Sequence, residues 1–179
     1  NDAVLDNAAN DFNSVVITSG KDVTLNDTDA IDLGASTVTG ALDVTAGGDV
    51  SDSGTVTVGG KTTVTASGKD VTLDDAANDF NSVAVTAATS TLVDTDDINL
   101  DGVNVSGAMS VTANGITDTA ANTVGGILTL VAGALNDIVL NAANDFSTVK
   151  VTSGKDVTLN DTDAIDLGLS SLAGNMTVT

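Results

Sequence analysis

The stretch ITSGKDVTLNDTDAIDLG, residues 17–34, returns as VTSGKDVTLNDTDAIDLG at residues 151–168 with only its first letter changed. Within it Val23 and Leu25 flank Thr24, and Ile31 and Leu33 flank Asp32. That two-residue alternation is the pattern of a strand with one buried face. The letters between, Asn26 to Asp29, are turn formers. Downstream, Leu42, Val44 and Ala46 continue the inward series, and Gly-Gly or Ser-Gly-Lys closes the circuit.

Similar short strands recur along the chain. Their first inward residues are Ala3, Val23, Val50, Val71, Ser90, Ile116, Ile138 and Val157, with spacings of 20, 27, 21, 19, 26, 22 and 19. The mean is about 22, a period that signals a solenoid whose small units bury their apolar faces by stacking. The order of short, long and medium spacings repeats as a three-coil block of 67 residues. Leu33, Leu100 and Leu167 mark it, and each is followed by a glycine seven positions on, at Gly40, Gly107 and Gly174. Phe12, Phe80 and Phe146 each close the tripeptide Asn-Asp-Phe, once per block, and are assigned to the core.

The residue alphabet agrees. All 25 acidic residues are Asp, all five basic residues are Lys, and Glu, Gln, Arg, His, Cys, Pro, Trp and Tyr do not occur. Helix formers are thereby scarce, while Val, Thr, Asp, Asn and Gly favour strands and turns. The expected fold is an all-β, right-handed parallel β-helix of about eight coils of roughly 22 residues, with three short strands per coil. Residues 1–179 form one β-solenoid segment, expected to be part of a much longer repeat array. At 41% hydrophobic residues the chain has a core, and its net charge of −20 makes nucleic acid and anionic membranes poor partners. No apolar run reaches the length of a membrane-spanning helix.

Two patterns carry candidate chemistry. Asp-Thr-Asp-x-Ile-(Asp/Asn)-Leu occurs three times, so the pairs Asp27/Asp29, Asp94/Asp96 and Asp161/Asp163 offer the oxygen ligands calcium prefers. Neither an EF-hand loop nor a glycine-rich calcium nonapeptide accompanies them. Asp2, Asp22, Asp49, Asp70, Asp137 and Asp156 precede the strands as a possible carboxylate ladder, tempered by Lys21, Lys69 and Lys155. Catalysis is not expected: carboxylates recur with the repeat instead of converging, and His, Arg, Tyr and Trp are missing. Thr-x-Thr pairs such as Thr63/Thr65 do not fall at one fixed place in successive coils, which argues against a flat ice-binding array.

The stretch from Asn7 through Phe12, Val23 and Leu33 to Gly48 resembles the β-strand repeat arrays of giant bacterial exported proteins, similar to filamentous-haemagglutinin-type two-partner-secreted adhesins. The resemblance implies a right-handed parallel β-helix at the bacterial cell surface or outside the cell, serving as an adhesin stalk or extracellular fibre. The expected role is a non-enzymatic structural shaft without a cofactor. Its partners are further repeats or like subunits stacked end to end, and no receptor is assigned. The alternative is a calcium-responsive adhesive module using the Asp pairs.

Overall fold

The computed structural model describes the whole chain, Asn1–Thr179. Its strands join in one sheet through parallel pairings, and no helix occurs. Parallel neighbours need a long return path; here the remaining sides of each turn supply it, and the chain is a parallel β-solenoid. One column of stacked positions runs through Ala3, Val23, Leu42, Thr62, Val83, Leu100 and Asp118, then through Leu140 and Leu159 to Val178. A second runs through Ile31, Val50, Val71, Ser90, Met109, Leu128, Val149 and Leu167.

From Ala3 to Val178 the first column makes nine steps, averaging about 19 residues. The solenoid therefore has about nine turns of about 19 residues, where the sequence spacing suggested eight of 22. The discrepancy has a definite cause. Val23 stacks on Leu42, not on Val50, and Ser90 stacks on Met109, not on Ile116. The spacings of 27 and 26 joined strands that lie on different faces. Val50–Val71–Ser90 and Ile116–Ile138–Val157 do stack as expected.

The 67-residue block is thus about three and a half turns, and its motifs return on a different face. Leu33 stacks with Val15 and Leu167 with Val149 on one face, whereas Leu100 stacks with Val83 on another. The tight corner alternates in the same way. The strand Val56–Thr65 turns it at Gly59-Gly60, and the strand Thr123–Val131 at Gly125-Gly126. Glycine is required there by the turn beneath: a Cβ on Gly60 would lie 2.6 Å from the Gly40 carbonyl oxygen, and one on Gly126 2.6 Å from the Gly107 carbonyl carbon.

The predicted inward residues form a continuous cluster of 39 buried side chains, including Val23, Leu25, Ile31, Leu33, Leu42, Val44 and Ala46. Phe80 and Phe146 are fully buried and Phe12 packs against the cluster from the first turn, in keeping with their assignment to the core. Burying one such aliphatic or aromatic side chain stabilises by about 1.5–3 kcal/mol, so the stacked columns hold the turns together. Thr62 breaks its column: it is fully buried between Leu42 and Val83, and its hydroxyl has no partner.

Replacing Val23 by Asp should unfold the turns around it, seen as a lowered melting temperature with loss of strand signal by circular dichroism, because an unpaired charge enters the core. Thr62→Val keeps the shape and removes the orphan hydroxyl. Chemical denaturation should show it more stable than the parent by about 1 kcal/mol or more.

Candidate functional site

Asp and Asn side chains at the corners make the most organised polar structure in the molecule. Asp27, Asp94 and Asp161 accept the backbone N–H of Phe12, Phe80 and Phe146 at 2.6, 2.7 and 2.8 Å. Their second oxygens accept the N–H of Asp29, Asp96 and Asp163 at 3.3, 2.9 and 3.4 Å. Alongside, the carbonyls of Asn10, Asn78 and Asn144 accept the N–H of Thr28, Thr95 and Thr162. Asn-Asp-Phe of one turn and Asp-Thr-Asp of the next are therefore two halves of one clasp, made three times. Local turn geometry drives the second half, since Asp readily bonds the N–H two residues on.

The structure keeps Asp27/Asp29, Asp94/Asp96 and Asp161/Asp163 together at these corners, but the first carboxylate of each pair is engaged by two backbone donors. Nowhere do three or more acidic side chains group in a way that could hold a metal ion. Asp94 is 5% exposed, and burial, opposed by the N–H bonds from Asp96 and Phe80, pushes its pKa up to about 6. Asp29 is also raised, by desolvation first and then by the charges of Asp11 and Asp27.

A second lock was not foreseen from the sequence. Asp52 accepts the N–H groups of Asp74 and Asp75 and the side-chain amide of Asn78, whose own oxygen accepts Val56 N–H. One block later, Asp118 accepts Asn141 and Ala142 N–H and the amide of Asn144, whose oxygen accepts Asn122 N–H. The Asn122 side chain joins through its amide to Asn144 and caps Gly102 and Val103. Asn78, Asn122 and Asn144 are all but fully buried. The available signal was periodic: Asp52 and Asp118, like Asn78 and Asn144, stand 66 positions apart.

The carboxylate ladder is three separate pairs, because its members fall on different columns. Asp2 adjoins Asp22, Asp49 adjoins Asp70, and Asp137 adjoins Asp156. Neighbouring unit charges at about 4.8 Å repel by about 0.9 kcal/mol in water, and cations answer this at two of the pairs. Lys21 bridges Asp2 and Asp22 at 3.9 and 2.6 Å, and Lys155 bridges Asp137 and Asp156 at 3.4 Å each. Lys21 holds the Asp22 carboxyl below the usual range, helped by Ala41 N–H. The Asn175 N–H does the same for Asp156, with Lys155 adding to it. Asp32 faces outward as predicted, and it accepts hydroxyls of Ser14, Ser51 and Ser53 from the turns on either side.

The surface has two shallow recesses. One of about 420 Å³ is lined by hydroxyl and apolar groups, among them Thr91, Met109, Ser110 and Ile127. The other, of about 220 Å³, lies at Lys21 and Thr39. Thr45, Thr65 and Thr86 stack in register, but Thr63 has Asp43 below it and Ala84 above, so the Thr-x-Thr lattice is broken within one turn.

The corner locks and half-turn block define a repeat solenoid, and the family comparison agrees. A family model described as repeats of unknown function (DUF5649) matches residues 20–87 and again 86–153, each match one block long. The chain belongs to this family. No curated protein and no solved structure matches it.

Two outcomes test the locks. Asn144→Ala strands Asn122 N–H and frees Asp118 in the interior, so equilibrium unfolding should show a loss of about 2–4 kcal/mol. For Asp94 the folded pKa lies above the unfolded one, so the folded chain binds the extra proton between about pH 4 and about 6. That contribution favours folding at low pH and is lost as pH rises through about 6. Asp94→Asn should flatten this fall in a plot of melting temperature against pH.

Proposed function

We propose that the chain is a length of non-enzymatic structural shaft in a secreted or cell-surface filamentous protein, of the kind used as an adhesin stalk or extracellular fibre. The observation that carries the reading is the unbroken parallel ladder from Ala3 to Val178, locked at each block by the same Asp–Phe clasp. Such a unit extends along its axis by repetition. In the first and last turns the inward-facing Leu5 and Leu167 are exposed. Stacking of further repeats or like subunits end to end covers them. The polar features recur with the block instead of converging on one cleft, which suits a mechanical role and supports a reading without catalysis or cofactor. The net charge of −20 suits a fibre that stays dispersed outside the cell and avoids nucleic acid.

Calcium binding at the same corners is the competing reading, and the raised Asp29 favours it to the extent that a cation there would relieve the repulsion from Asp11 and Asp27. The two separate by titration. A shaft gives no heat and no shift of melting temperature on adding Ca²⁺, whereas a calcium module gives both and loses them in Asp27→Asn.

Length and location test the shaft itself. At about 4.8 Å per turn, each inserted block of three and a half turns should lengthen the rod by about 17 Å in negative-stain images. Antibodies to this segment should label intact cells that express the parent protein. Labelling only after lysis would overturn the surface role.

A further inference from the structure

One face of the solenoid departs from the acidic character of the rest. In three successive turns the outward positions are Thr89, Thr91 and Val93, then Ala108, Ser110 and Thr112, then Ile127, Thr129 and Val131, and none is charged. Ile127 is 51% exposed, and the 420 Å³ recess lies on this face. The corresponding positions one block earlier carry Asp22, Asp43 and Lys61, so the block repeat does not dictate a neutral face.

The turns bordering the neutral patch carry opposite charges. Below it, Asp70 adjoins Thr89, with Thr72 and Asp74 further along the same row. Above it, Lys150 adjoins Thr129. Ion pairs within the chain use Lys21, Lys61 and Lys155, leaving the exposed Lys69 and Lys150 without a carboxylate partner; Lys69 has Asp70 next to it in the chain, whereas Lys150 has Val149 and Val151. Thr72, Thr91, Ser110, Thr129 and Lys150 form one outward column, with Ser110 at its middle.

We propose that this face binds a second copy of the same chain, side by side, with the two rods antiparallel and a two-fold axis passing by Ser110. In that arrangement Lys150 of each rod meets Thr72 of the other and sits between Asp70 and Asp74. Within these five turns the neutral rows meet each other and no carboxylate faces another; the next turn out, Asp49 below and Asp166 above, lies beyond the contact. The parallel alternative places Lys150 against Lys150 and the Asp70 row against itself, which like-charge repulsion disfavours. A two-fold contact is self-complementary and closes without growing. Five turns by one strand span about 24 Å by 17 Å, about 400 Å² per copy and half the ~800 Å² per partner of a stable complex. The contact of one segment is accordingly weak, and repetition along a longer rod strengthens it by multivalency. The pairing does not depend on the shaft reading, since it can be tested on the chain in solution.

The chain has no cysteine, which makes cross-linking clean. Under mild oxidation Ser110→Cys should form a covalent dimer about tenfold faster than Thr24→Cys on another face, because association raises the effective thiol concentration. Thr72→Cys mixed with Lys150→Cys should give the mixed dimer, and Thr72→Cys alone should not dimerise quickly. Adding Lys150→Glu to Ser110→Cys should abolish the acceleration, and adding Asp70→Lys and Asp74→Lys as well should restore it. Melting curves check that each variant is folded. Equal rates for Ser110→Cys and Thr24→Cys, rapid dimerisation of Thr72→Cys alone, or an acceleration indifferent to the charge changes would each overturn the proposal.

Discussion

The structure depends on one constraint: in a parallel ladder each residue sits about 4.8 Å above its counterpart in the turn below. Whatever occupies a position must tolerate that neighbour. For Val, Leu and Ile the constraint is favourable, and it produces the two long apolar columns. For a carboxylate it is costly, and the molecule answers each instance with a local device. Asp22 and Asp156 have a lysine and a backbone N–H. Asp27, Asp94 and Asp161 have two backbone donors each, and Asp52 and Asp118 have an asparagine amide as well. Asparagine stacks without this cost because its oxygen accepts while its amide donates, as between Asn122 and Asn144.

The half-integral block gives the constraint a further consequence. A repeat of three whole turns would put every copy of a motif on the same face, and the Asp-Thr-Asp corners would line one edge. With three and a half turns, successive copies alternate between faces and the clasps are distributed around the rod. The neutral patch centred on Ser110 is one place where the block's usual charges are replaced, and there a lateral contact becomes physically accessible.

Thr62 and Ser90 show where packing and stacking disagree. Both occupy inward positions of apolar columns, both are buried, and neither hydroxyl finds a partner. Nothing in the structure explains why a hydroxyl stands at these positions.

The local sequence by itself determined which side chains face inward. Alternation with a period of two depends only on strand geometry, so Val23, Leu25, Ile31, Leu33, Leu42 and Val44 were legible without a structure, as were the solenoid class and the block length. The candidate Asp pairs were legible as corner residues, but not their engagement with the Phe12, Phe80 and Phe146 backbone. Only the tertiary structure decided which residues stack. The corners consume variable numbers of residues, and a difference of one or two at a corner changes the partner in the next turn without altering the alternation inside any strand. For this reason Val23 lies beneath Leu42, nineteen residues on, while the strand that the sequence spacing placed next in the series begins at Val50 and belongs to another face.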